Sequence, residues 1–199
     1  SVKISSDEKT LVSSSRDHTF KIWDLQNLQL RYTLDKTKQD YGTIFDLAIT
    51  PDGRTFISSH EGDNTLKLWN LETGKLIGTL IEHSSFILCI TISDDGEILA
   101  CGCHDGTIII MNLKTKTIKH KIKKISGDVY GVTVSPDGQI LASSYSDAKI
   151  RLWSVNTGEL ISTLTDHRDS VYGIKFSADG QKLVSCSRDK TIKIWQPLS

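Results

Sequence analysis

Three side chains near the C-terminus, His167, Ser185 and Asp189, are the types that make up a nucleophile, its base and the acid that orients the base. Brought together they could activate a hydroxyl for attack on a carbonyl, which would make the chain a hydrolase. The rest of that machinery is missing from the sequence. No G-x-S-x-G elbow surrounds Ser185, and no loop offers a pair of amide donors for an oxyanion. The other reactive residues are scattered. Cys89, Cys101, Cys103 and Cys186 fall in strand-like segments rather than in C-x2-C turns. His18, His60, His83, His104, His120 and His167 show no metal-ligand spacing. This pattern predicts buried reduced thiols, no metal and no cofactor.

What has to position these side chains is a repeat. Trp23, Trp69, Met111, Trp153 and Trp195 form a column with gaps of 46, 42, 42 and 42 residues, and a fixed period in this range marks a repeat architecture. Asp17, Asp63, Asp105, Asp147 and Asp189 each stand six residues ahead of a column residue. Thr50-Pro51-Asp52-Gly53, Ser93-Asp94-Asp95-Gly96, Ser135-Pro136-Asp137-Gly138 and Ser177-Ala178-Asp179-Gly180 read as tight turns, with Gly free to take positive φ. The first unit offers Ser6-Asp7-Glu8 there, without the glycine. Alternating apolar segments flank each turn, such as Val171 to Phe176 and Leu183 to Cys186, and read as strands. A further turn, as at Glu72-Thr73-Gly74 or Asn156-Thr157-Gly158, leads into a fourth strand, Lys75 to Leu80 or Glu159 to Leu164. The expected fold is all-β, small four-stranded antiparallel sheets in one domain. Its units run at about 1–34, 35–80, 81–123, 124–164 and 165–199.

The residues from Ser177-Ala178-Asp179-Gly180 through Ser187-Arg188-Asp189 to Ile192-Lys193-Ile194-Trp195 resemble the WD-repeat β-propellers, and the likeness spans essentially the whole chain. The Pro-Asp-Gly turns and closely similar units look like bacterial members, some of which follow a Ser/Thr kinase or other signalling domain. The resemblance implies a structural role for the Ser-His-Asp set: Trp195, Ser185, His167 and Asp189 would form one hydrogen-bond chain inside a blade. Ser185 would then accept from the indole N–H and donate to the imidazole. Other units depart from that pattern. The third keeps His83 and Asp105 but carries Cys101 and Met111; the fourth has Ser143, Asp147 and Trp153 but Ile125 at the His position; the second has Asp40 there, with Ser58 or Ser59. Only the fifth blade is expected to be fully wired, leaving blades two to four to rely on packing between blades.

The resemblance also implies a non-catalytic scaffold for protein or peptide partners, which would dock on the top rim of the blades. The matching positions are Arg16, Thr43, Phe45, Phe86, Leu88, His104, Asp128, Tyr130, Ser170, Tyr172 and Arg188, with Gly62 and Ser146 before two of the turn aspartates. Aromatics flanked by Arg suit a protein interface, whereas Phe45, Leu88 and Tyr172 could instead line a narrow central channel. The alternative function is a sensor or targeting module of a larger signalling protein such as a Ser/Thr kinase. Members of the family usually have about seven blades. At 42 residues each, seven would take about 294 residues against the 199 here, so the expectation is part of a larger propeller, with a closed five-blade ring or two paired arcs as alternatives. An arc with open ends would expose apolar sheet flanks and self-associate through them.

Composition fits this reading. Twenty-four basic residues cancel 24 acidic ones, so no global charge draws the chain to nucleic acid or membrane. The longest apolar stretch, Phe86 to Ile92, falls short of the roughly 20 residues of a membrane span. No signal-peptide layout opens the sequence, and a cytoplasmic location is expected. Lys114, Lys116, Lys119, Lys121, Lys123 and Lys124 could hold phosphate, but without interleaved aromatics they read rather as guards of an exposed edge strand. The longer connection from Asp35 to Gly42 should place Lys36, Lys38 and Asp40 on the top rim.

Overall fold

The structure, a computed structural model, describes residues 1–15, 17–35, 43–123 and 127–196, among which there are 19 strands and no helix. Blade 1 comprises β1 (Val2–Ile4), β2 (Thr10–Ser14), β3 (Thr19–Asp24) and β4 (Gln29–Asp35), and blade 2 comprises β5 (Ile44–Ile49), β6 (Thr55–His60), β7 (Thr65–Asn70) and β8 (Leu76–Glu82). Blade 3 has β9 (Ile87–Ile92), β10 (Ile98–Cys103), β11 (Ile108–Asn112) and β12 (Thr117–Ile122). Blade 4 has β13 (Val129–Val134), β14 (Ile140–Tyr145), β15 (Ile150–Ser154) and β16 (Leu160–Leu164). Blade 5 holds three strands, β17 (Val171–Phe176), β18 (Leu183–Ser187) and β19 (Ile192–Trp195). Strands lie in chain order within every sheet, as hairpin connections require. Residues 1–87 and 88–199 form two compact units, and each is described by itself.

Local chemistry sets the register. In the first turn of each blade the hydroxyl of Ser or Thr bonds the Asp two residues on, and the Asp accepts a downstream amide. Ser93 Oγ lies 2.5 Å from Asp95 Oδ1, which takes the Glu97 amide at 2.9 Å. Blade 1 forms the same turn with Asp7 and Glu8 in their expected places and Ser5 as the leading hydroxyl, its Oγ 2.6 Å from Asp7. Glu8 there occupies the left-handed position (φ 58°) that Gly53, Gly96, Gly138 and Gly180 occupy elsewhere. The second turn demands positive φ just after its Asp in all five blades, at His18, Asn64, Gly106, Ala148 and Lys190.

The core lies between blades. Each sheet has a forward face, toward the next blade in the chain, and a rear face. In the first unit Val12, Phe20 and Ile22 on the forward face of blade 1 bury against Leu47, Phe56, Trp69 and Leu71 on the rear of blade 2. Phe20 meets the rings of Phe56 and Trp69 at 5.6 Å each. In the second unit Ala100, Ile108 and Ile110 of blade 3 pack on Val132, Leu141 and Trp153 of blade 4. Ala142, Ile150 and Leu152 of blade 4 pack on Val171, Phe176 and Leu183 of blade 5. Cys89, Cys101 and Cys103 are buried free thiols, but Cys186 is exposed. Its expected burial fails because it sits on the forward face of blade 5, which none of the described residues covers.

Candidate functional site

Antiparallel order places the turn between the second and third strands at the same end of a sheet as the start of the first strand, and that end is the rim. At three rim positions the first strand carries a β-bulge. Ile44 pairs with His60 and Leu47 with Ser58, so Phe45 and Asp46 share one place opposite Ser59. Val129 pairs with Tyr145 and Gly131 with Ser144, leaving Tyr130 unpaired. Val171 pairs with Ser187 and Gly173 with Cys186, leaving Tyr172 likewise. A bulge re-aims the side chain of its extra residue, and here each bulge carries an aromatic ring.

In the first unit the Phe45 and Phe86 rings lie 6.0 Å apart, with Phe86 exposed and Thr43 half-buried beside Phe45. Arg16 lies outside the described residues, as do Lys36, Lys38, Asp40, Lys124, Ile125 and Pro197-Leu198-Ser199. In the second unit Tyr130 and Tyr172 stand 5.4 Å apart at 45°, with Tyr172 exposed. The Tyr130 hydroxyl donates to Asp128 Oδ2 at 3.4 Å, and His104 Nε2 lies 3.7 Å from the same oxygen. Burial, and then the neighbouring Asp128 carboxylate, push the Tyr130 phenol above its usual range. Ser170 Oγ ties blade 5 to blade 4 by donating to the Ser146 carbonyl at 3.2 Å. Arg188 is largely exposed, 4.0 Å from Asp169. Leu88 is half-buried at the start of β9. At the opposite end of the second unit a groove of about 500 Å³ runs past Pro136, Ile140, Phe176 and Gln181, where Asp137 and Asp179 are occupied by their own turns.

Behind the rim, blade 5 joins its four polar residues in a chain. Trp195 Nε1 donates to Ser185 Oγ at 2.8 Å, Ser185 Oγ meets His167 Nε2 at 2.7 Å, and His167 Nδ1 meets Asp189 Oδ2 at 2.7 Å. Because a carboxylate only accepts, Nδ1 carries the proton, and the Ser185 hydroxyl donates to Nε2. Burial alone would raise the Asp189 pKa. Bonds from Thr191, the Arg168 amide and His167 outweigh it and hold the carboxyl far below the ordinary carboxylate range.

Two blades lacking the loop histidine close a different circuit, so blade 5 is not alone in being wired. In blade 2 Trp69 Nε1 donates to Ser58 Oγ at 2.7 Å, and Ser58 bonds Nε2 of His60 at 2.7 Å from its own strand. The buried ammonium of Lys67 bonds Asp63 and, at 2.5 Å, Thr65 Oγ1. Blade 4 repeats the plan with Trp153, Ser143 and Tyr145 at 2.7 and 3.2 Å. Arg151 pairs with Asp147 at 2.7 Å while its guanidinium sits 4.3 Å over the Tyr145 ring. The substitutes are a polar ring two residues after the Ser and a cation two residues before the Trp. The cation was visible in the sequence as a column of Lys21, Lys67, Arg151 and Lys193 broken only by Ile109, and the ring as His60 and Tyr145 two residues after Ser58 and Ser143.

Comparison with known proteins fits this geometry. The family described as WD domain, G-beta repeat matches residues 1–24, 29–70, 74–112, 115–154 and 158–196. The chain belongs to the WD-repeat family. In this frame, from 29–70 onward, each WD repeat joins the outer strand of one blade to the three inner strands of the next. Similar proteins include Autophagy-related protein 16 of Arabidopsis thaliana, 33% identical over 86 residues, which cover 43% of this chain and 16% of that protein. Apoptotic protease-activating factor 1 of Rattus norvegicus is 31% identical over 94 residues, 47% of this chain and 7% of that protein. WD repeat and SOCS box-containing protein 1 of Xenopus tropicalis is 29% identical over 99 residues, 49% of this chain and 22% of that protein. The match thus spans less than a quarter of each relative's length. Among the described residues no helix is long and apolar enough to cross a membrane.

Proposed function

We propose that this WD-repeat chain is a non-catalytic platform, working in the cytoplasm, whose rim binds protein or peptide partners. The supporting observation is the placement of Phe45, Tyr130 and Tyr172 on bulges. A regular strand would turn alternate residues into the sheet faces, whereas the bulge lifts one ring per blade out of that alternation. Tyr130 and Tyr172 form a ring pair bordered by His104, Asp128 and Arg188, the mixture of aromatic anchor and charged border that interface centres favour. The case against catalysis rests on Ser185, whose oxygen accepts the Trp195 indole proton and is 1% exposed. A serine so engaged is a poor nucleophile. The test is a photo-crosslinking residue placed at Tyr172 or, as control, at Thr163 on the outer strand. A discrete protein adduct from Tyr172 alone supports the platform. Adducts from Thr163 alone, or an esterase activity abolished by Ser185→Ala, would overturn it. The small share of each relative that the match covers favours a second reading, in which these repeats are the targeting module of a longer signalling protein.

A further inference from the structure

One outer strand of the second unit is unlike its sisters. The sequence holds no Asp or Glu from Gly106 to Gly127, and the same stretch carries Lys114, Lys116, Lys119, Lys121, Lys123 and Lys124. Outermost in blade 3 is β12, which pairs with β11 and leaves its other edge open among the described residues. Two of its side chains are used in packing. His120 Nε2 donates to the Asn156 carbonyl of blade 4 at 2.8 Å, and Ile122 packs on the core between blades 3 and 4. The residues that alternate with these, Lys119, Lys121 and Lys123, are exposed, as is Lys116. Among the described residues an ion pair holds Lys114, 2.5 Å from Glu97, and none holds the other four.

Guarding an open edge does not account for these lysines. The outer strands of blades 1 to 4 each carry a bulge at the same place, with Arg31, Ile77, Lys119 and Ile161 as the extra residue. A bulge already blunts an edge, and β8 and β16 manage with theirs and no lysine at all. On β12 the alternate residues stand about 7 Å apart along the strand, so their ammonium groups form a single file with no carboxylate to neutralise it. Such a file is complementary to a linear polyanion, whereas a lipid surface is met by a plane of charge. Residues 114–123 include no Phe, Tyr, Trp or Arg on which bases could stack, so a nucleic acid is poorly served. An extended acidic chain needs no stacking platform, and its own alternate side chains have the same repeat. We propose that β12 docks an acidic segment of a partner protein, at a second surface distinct from the aromatic rim.

The test follows fluorescence anisotropy of a labelled peptide of alternating Glu and Thr as the full 199-residue chain is added. Binding weakens severalfold between about 50 and 300 mM salt, because the paired charges are exposed and screened. Combining Lys119→Gln, Lys121→Gln and Lys123→Gln lowers affinity by roughly tenfold, the sum of three exposed ion pairs. Combining Lys149→Gln, Lys175→Gln and Lys182→Gln removes the same charge elsewhere in the second unit and leaves affinity unchanged. All six side chains are exposed, so both variants keep the fold, which circular dichroism and melting verify. If the first melts lower than the parent, Lys121→Gln and Lys123→Gln are measured singly in its place. Tyr172→Ala binds the peptide normally, which separates a failure at this edge from a failure at the rim. The proposal is overturned if the peptide shows no saturable binding, or if both triple variants weaken it equally. It is overturned equally if oligouridine RNA or vesicles containing phosphatidylserine bind through the same lysines more tightly than the peptide.

Discussion

Arg151 and Lys193 occupy the same place in the repeat, two residues before the column Trp, yet their substitution should differ several-fold in effect. The Arg151 side chain is 4% exposed and that of its partner Asp147 is 17% exposed. Removing one partner of such a pair costs about 3–5 kcal/mol, because the other charge is left without compensation. Asp147 keeps some contact with solvent and still accepts the Lys149 amide at 3.1 Å, which favours the lower end of that range. Loss of the cation over Tyr145 adds about 0.5–1 kcal/mol. Arg151→Met should therefore destabilise by about 3–4 kcal/mol, which lowers Tm by about 6–16 °C in a chain of this size. Lys193 pairs with Asp166, whose side chain is 74% exposed, and exposed ion pairs are worth about 0–1 kcal/mol. Lys193→Met should move Tm by no more than about 4 °C. Calorimetry and urea unfolding of both variants measure the difference. Adding Asp147→Asn to Arg151→Met should recover part of the loss, since the stranded carboxylate is gone. Equal destabilisation by the two single substitutions would refute the claim that a buried cation replaces the missing histidine of blade 4.

Two further outcomes follow from the turns and from an acid. Glu8 and Ala148 hold left-handed backbone where a glycine would be unstrained, so Glu8→Gly and Ala148→Gly should each stabilise by about 1 kcal/mol in chemical unfolding. Destabilisation by either would mean that the side chain contributes more than its backbone strain costs. The Arg31 side chain, the Asn27 amide and further bonds hold the Asp24 carboxyl down at about 2 against an ordinary 3.8. A folded-state pKa below the unfolded one makes this contribution full above about pH 4 and progressively lost as pH falls through about 2. Arg31→Met should flatten the acid limb of a plot of stability against pH in that window, while an unchanged limb would remove Asp24 from the explanation.

Much of the blade was legible because its determinants are local. A Ser, an Asp two residues on and a Gly after it specify one turn whatever lies around them, and the column of Trp and Asp residues fixed the register of every sheet. What escaped depends on neighbours. The bulges at Phe45, Tyr130 and Tyr172 are properties of two paired strands, and an alternating run such as Val171 to Phe176 does not announce its extra residue. Ser5 as the leading hydroxyl of the first turn was obscured because Glu8 adopts a conformation usually left to glycine. His60 and Tyr145 substitute for a histidine that the other circuit draws from a loop, so comparison position by position found only its absence. Cys186 was expected to be buried because its strand matches the others, but burial is conferred by the next blade rather than by the strand.

The separation of framework from rim is most directly tested by binding and melting curves measured side by side on Tyr172→Ala and Trp195→Phe, using the partner trapped by crosslinking. Tyr172→Ala should reduce affinity at least tenfold, within the range for loss of an interface anchor, with Tm unchanged. Trp195→Phe strips the donor from Ser185 and should cost about 1–2 kcal/mol, lowering Tm by about 2–8 °C with affinity intact. A Tyr172→Ala variant that binds normally, or a Trp195→Phe variant that melts normally but loses its partner, would contradict it.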